Sequence, residues 1–212
     1  MEIDYNQGFK LARKNFKMLV KSAHHASFIK SYGLACTLNI LACEEMIKAF
    51  FFHIQALNPG VKIKNFGEVF RNHKIKHQEL KSLLESSHAE IYNLSFAILH
   101  DKEEFLKVVP SHRLAEFEKE YKDIEKVQRR TEKIRKSKIT IGEIFEWLDQ
   151  AHHEKNLGLY VGLHNTIWQS PKDFKKQKYN LEHAYTDILD KYLNNAIDIT
   201  KFMKELRERE PF

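Results

Sequence analysis

Between Ser31 and Ile54 the chain is apolar on nearly every helical face, and its only formal charges, Glu44, Glu45 and Lys48, sit in the middle. A helix that is hydrophobic all round belongs in a protein core or a bilayer, where an unpaired charge costs several kcal/mol. The spacing offers compensation. Glu44 and Lys48 are i,i+4 and Glu45 and Lys48 are i,i+3, so both carboxylates can reach one ammonium. The three residues are therefore expected to form a buried polar network at a cleft. Three charges near mid-membrane would each cost about 2.5–3.5 kcal/mol on insertion scales, so a buried core helix is expected and not a membrane span.

The other elements follow from the same periodicity. Residues 5–29 carry Phe9, Leu11, Phe16, Leu19, Val20, Ala23, Ala26 and Phe28 among Lys and Arg, which predicts an amphipathic helix. Asn58-Pro59-Gly60 ends the second helix, and a short irregular segment follows to about residue 72. A third helix runs to roughly residue 100, with His73, His77, Leu80, Leu84, Ile91, Leu94 and Ile98 on one inward stripe. Pro110-Ser111 opens a charged helix, covering 113–138, whose narrow apolar seam predicts a peripheral element that projects. Its end, Arg129 to Lys138, is the densest basic run in the chain. Thr140-Ile141-Gly142-Glu143 is a capping box for a fifth helix through Trp147 and Leu148. The segment 157–168 is Gly-punctuated and β-like, and a final helix spans about 180–206. The expectation is an all-α bundle of five to six helices, in a single domain over 1–212.

Composition sharpens this picture in three places. Seven Gly and four Pro in 212 residues leave little material for hairpins. The formal charge of +6 permits nucleic-acid binding. Cys36 and Cys43 would lie roughly 10 Å apart on one helix, too far to bridge, which with the absence of a signal-like start fits the cytoplasm. No Walker loop, Gly-x-Ser-x-Gly, His-Glu-x-x-His or Cys-x-x-Cys occurs. Glu85-Ser86-Ser87-His88 is one clean Glu-x-x-His, and Asp149-Gln150-Ala151-His152 a weak analogue, where di-metal bundles use two. Neither a metal nor a cofactor is expected.

The constellation with the most chemistry is Arg71-Asn72-His73-Lys74-Ile75-Lys76-His77. An Arg can neutralise charge on a phosphorane-like transition state, and a His can move a proton to or from a ribose hydroxyl. Lys74, Lys76 and Arg71 supply a positive field for phosphates.

Three separated segments together resemble the AbiV-type abortive infection proteins of bacteria, of the helical HEPN superfamily. They are Leu41-Ala42-Cys43-Glu44-Glu45-Met46-Ile47-Lys48, similar to that family's Ala-x-Glu-Glu-x-x-Lys helix; His73-Lys74-Ile75-Lys76, similar to its His-Lys-x-Lys helix start; and Leu159-Tyr160-Val161 with Trp168-Gln169-Ser170-Pro171, similar to its Leu-Tyr-Val-Asp and Trp-x-x-Pro. Position 162 is Gly where the family favours Asp. The resemblance implies a HEPN bundle that commonly dimerises, and an antiphage protein that interferes with RNA or translation after a phage-encoded trigger. It also implies a metal-independent ribonuclease pattern, Arg-x(4–6)-His, which Arg71 and His77 fit, with His73 and Lys74 beside them. An alternative equivalent lies at Lys155-Asn156 and Tyr160, where Arg and His would have become Lys and Tyr. The rival expectation is a non-enzymatic protein that sequesters a phage or ribosomal component, its polar cluster being structural.

Overall fold

The structure, a computed structural model, describes residues 3–58, 66–85, 114–164 and 167–207. It is all-α apart from one short hairpin, and the chain divides into two compact units, Met1–Ser82 with Ile139–Asp190 and Leu83–Lys138 with Lys191–Phe212. The expected turn at 59–60, the continuation of the third helix towards residue 100, the Pro110-Ser111 helix start and His88 lie outside the described residues.

In the first unit α1, Tyr5–Phe28, is capped by Asp4, whose carboxylate accepts the Gln7 N–H at 2.9 Å. It ends in a Schellman turn: Ser31 N–H bonds the Ala26 carbonyl and Lys30 N–H that of Ser27, with Lys30 in the left-handed region at φ 62°. The turn folds α1 back along α2, Tyr32–Leu57, where Ala12, Phe16, Ala23 and Ala26 are buried. The small residues of that stripe let the two helices approach closely. Beyond them Phe51, Phe52, Phe66 and Phe70 pack edge to face or tilted, with ring centroids 5.0 to 6.4 Å apart, and hold the short α3, Phe66–Val69. Four of the fifteen phenylalanines serve this cluster.

Helix α2 is buried on several faces because the helix Ile141–Leu159 covers another side of it. The helix over residues 73–85 is α4; α5 is Leu114–Lys136 and α6 Ile141–Leu159. The predicted capping box starts α6, with Thr140 N–H donating to Glu143 at 2.7 Å and Glu143 N–H donating to Thr140 Oγ1 at 3.2 Å. The expected β-like stretch is displaced: residues 157–159 are still helical, and the ladder forms later, between β1, Gly162–His164, and β2, Ile167–Gln169, pairing Leu163 with Trp168. Gly158 is helical for a packing reason. A Cβ there would collide with Thr37 Oγ1 and the Gly33 carbonyl oxygen, so it marks where α6 crosses α2 nearly backbone to backbone. Thr37 Oγ1 donates to the Lys155 carbonyl at 3.0 Å at the same crossing.

The last helix, α7, Lys176–Arg207, contributes its residues to Asp190 to the first unit and the rest to the second. Within the second unit α5 does not project free. Arg130 donates to Asn195 at 3.1 Å and to Asp198 at 2.6 Å on α7, and Ile124, Val127 and Ile134 are buried. No helix of the described residues is long and apolar enough to cross a membrane.

Helix propensity alone would make Gly158→Ala stabilising by up to ~1 kcal/mol. The crossing predicts the opposite sign, a loss of about 1–3 kcal/mol from overpacking and a fall of several degrees in Tm. Thermal unfolding checks this, and an unchanged or raised Tm would contradict the close approach.

Candidate functional site

Close packing at the α2–α6 crossing places the Lys155 backbone beside Thr37, two turns from Glu44 along α2. Side chains on a helix lean towards its N-terminus, so Lys155, though level with Thr37, reaches back along α6, and its ammonium lies 3.2 Å from Glu44 Oε1. From the other side α4 presents three groups. His73 Nδ1 lies 2.5 Å from Glu44 Oε2, Lys76 Nζ 3.3 Å from the same oxygen, and His77 Nε2 3.5 Å from Oε1. Asn72 caps α4, its side-chain oxygen accepting the N–H groups of Lys74 and Ile75 at 3.0 and 3.4 Å. One carboxylate thus joins three helices.

This differs from the pairing expected on α2. The Glu44 side chain, 3% exposed, turns to α4 and α6, whereas Lys48 pairs with Glu45, and both of those are half-buried. Lys155 and His77, the rival sequence candidates, meet on the same oxygen. Tyr160 does not join them: it is 67% exposed at the C-cap of α6, its N–H bonded to the carbonyl of exposed Asn156. Arg71 and Lys74 are exposed at the start of α4, and neither makes an ion pair among the described residues. Lys76, Lys155 and His77 are buried.

The electrostatics follow from that placement. Burial by itself raises the Glu44 pKa, but the His77 ring, Lys155, Lys76 and His73 outweigh it and hold the carboxyl well below the usual range. At 3.5 Å the His77 contact is long for a hydrogen bond, and Nε2 has no hydrogen-bond partner among the described residues, so His77 acts on Glu44 mainly through proximity. Burial comes first in holding His73 below its ordinary pKa; Lys155 and Lys76 act the same way and Glu44 opposes them. The ring is therefore mostly neutral at pH 7. An ionised carboxylate only accepts, so His73 Nδ1 carries the proton it donates to Glu44, and Nε2 keeps a lone pair on a side chain 41% exposed. The His152 ring on α6 lies 6.2 Å from that of His73, centroid to centroid. Two ammoniums against one carboxylate leave this cluster with net positive charge, suited to an anion. Its parts support proton transfer at an exposed imidazole beside a cationic centre.

A second polar cluster, which sequence reasoning missed, lies on the next residue of α6. Lys178 Nζ bonds Glu154 Oε1 at 2.6 Å and lies 3.5 Å from Glu182 Oε1. Glu182 is fully buried, and neither of its oxygens has a hydrogen-bond partner among the described residues. Burial and then the charge of Glu154 push its carboxyl up to about 8, against the opposing Lys178. Burial also raises the neighbouring Cys36 thiol, with Glu182 adding to it, and pushes Cys43 up to about 12, so both thiols are inert. The signal was available: Ile144, Trp147, Leu148, Ala151, Glu154, Lys155 and Gly158 recur in helical phase, so both charges fall on the buried stripe. Among the described residues no group of three or more His, Cys, Asp or Glu side chains is placed to hold a metal ion.

A family model described as AbiV, of the HEPN type, matches residues 4–189. No curated protein matches the chain. No solved structure matches it either.

The raised Glu182 value has a definite sign. Its stabilising contribution is full below the ordinary carboxylate value of 4.5 and is lost as pH rises through about 8. Urea unfolding at pH 5, 6.5 and 8 should show declining stability in the parent and a flatter profile in Glu182→Gln. Identical profiles would contradict the assignment.

Proposed function

We propose a function that proceeds from the family to which this chain belongs, the AbiV family of HEPN-type proteins: abortive infection, exerted on RNA by metal-independent cleavage at the Glu44 cluster. The observation that carries this reading is the His73–Glu44 pair, in which a buried carboxylate fixes Nδ1–H and leaves Nε2 basic on an exposed ring. In the proposed step His73 Nε2 takes the proton of a ribose 2′-hydroxyl. The 2′-oxygen attacks phosphorus, the bond to the 5′-oxygen breaks, and His152 returns a proton to that leaving oxygen. Products are a 2′,3′-cyclic phosphate and a 5′-hydroxyl. Arg71 and Lys74, exposed at the start of α4, meet the phosphate, while burial, aided by Lys155 and Lys76, keeps His73 neutral and the two buried ammoniums keep the site positive. His77, though spaced from Arg71 as the ribonuclease pattern asks, is buried and takes a supporting role beside Glu44. We place the protein in the cytoplasm as a homodimer, released to act by a phage-encoded partner.

A second reading is favoured by burial. Lys76, His77 and Lys155 are all shielded from solvent, as in a network that only holds helices together. The protein would then block a phage or ribosomal component by binding it.

Purified protein incubated with RNA in EDTA should yield cyclic-phosphate ends, and His73→Ala should lower that rate by at least 10²-fold without unfolding the protein. His152→Ala should slow it comparably, and both variants should lose phage protection. Protection retained by both folded variants would contradict the cleavage mechanism and favour the binding reading.

A further inference from the structure

The chain's excess positive charge is concentrated on one helix. Over 24 residues α1 holds Lys10, Arg13, Lys14, Lys17 and Lys21 and no Asp or Glu, five charges against a net of +6 for the whole chain. In the densest basic run of the sequence, at the end of α5, three of the six basic residues are matched: Arg129 pairs with Glu125, Arg130 with Asp198 and Arg135 with Glu132. Among the described residues only Arg13 of α1 has a carboxylate partner in an ion pair, Asp190 at 2.9 Å. Lys10, Lys14, Lys17 and Lys21 are exposed, and none pairs with an acid among the described residues.

Their spacing is regular. Steps of four, three and four put all four lysines on one face, in a ladder about 16 Å long at ~1.5 Å per residue. The same side chains share a shallow, open surface of α1 with Phe9, Arg13 and Met18. The apolar stripe of α1, Ala12, Phe16, Ala23 and Ala26, is already spent against α2, so the outward face lacks the continuous apolar surface a membrane-lying helix needs. The exposed large apolar residues of α1, Leu11, Met18 and, at the end of the helix, Phe28, stand apart in sequence.

We propose that the outward face of α1 is a docking surface for the sugar–phosphate backbone of RNA, gripped by Lys10, Lys14, Lys17 and Lys21 apart from the Glu44 cluster. It rests on the reading that RNA is the target and adds where a long strand is held. Contacts of this kind are independent of sequence and strongly dependent on salt.

The test compares the intact chain with the quadruple variant Lys10→Gln, Lys14→Gln, Lys17→Gln, Lys21→Gln, using a fluorescent single-stranded RNA of about 20 nucleotides across a salt series. The variant should keep its Tm, bind at least tenfold more weakly at low salt, and lose about 3 from the log–log salt slope, ~0.7 per lysine. If the parent binds RNA and the folded variant binds equally well, the docking surface is overturned while the RNA reading stands. If the parent binds no RNA, both fall. Comparable, lysine-dependent affinity for single-stranded DNA of the same sequence would support contact through the phosphates, which lysines grip without reading the 2′-hydroxyl. Lysine-dependent binding only to phosphatidylserine vesicles would make the face a membrane contact instead.

Discussion

One buried carboxylate organises the first unit. Glu44 lies on a helix with no polar face, so it cannot stay ionised without partners brought from elsewhere in the chain. Those partners come from two helices, Lys76, His73 and His77 from α4 and Lys155 from α6, and each contact fixes the position of its helix relative to α2. Desolvating two ammoniums and a carboxylate costs several kcal/mol per ion, which the mutual attraction offsets only when geometry is good. The network is thus a strong constraint on register and a weak source of net stability. Removing Glu44 would leave the buried ammoniums of Lys76 and Lys155 without the carboxylate they share.

The same constraint prepares chemistry. A carboxylate held ionised fixes the tautomer of His73, and burial, helped by the charges of Lys155 and Lys76, disfavours a second proton on that ring. Adjacent residues on α6 serve opposite environments: Lys155 adds positive charge around Glu44, while Glu154 joins Glu182 in a pocket with two carboxylates and one ammonium. The first cluster carries excess positive charge. The second relieves excess negative charge by raising the Glu182 pKa.

Much of the fold was legible because it rests on local pattern. The amphipathic period of α1, the all-round apolarity of α2 and the Thr140–Glu143 capping box each determine an element within a few residues. Family membership was legible in three ordered motifs. The site was harder, because the partner of Glu44 is chosen by packing across 111 positions of sequence, whereas spacing on α2 pointed to Lys48. Gly158 illustrates the same limit: read locally it breaks a helix, and in the fold it permits a crossing. Glu154 and Glu182, which were missed, and Lys76, which was read only as part of a positive field, share a visible trait. Each is a charged side chain in phase with an apolar stripe, which signals a buried charge with a distant partner.

The most direct measurement on the Glu44–His73 pair is an NMR titration of the imidazole nitrogens, with His73→Gln used for assignment. The proton of neutral His73 should reside on Nδ1, and the ring should titrate below 6.5, the ordinary histidine value. A proton on Nε2, or a ring still charged at pH 7, would contradict the exposed base on which the proposed chemistry depends.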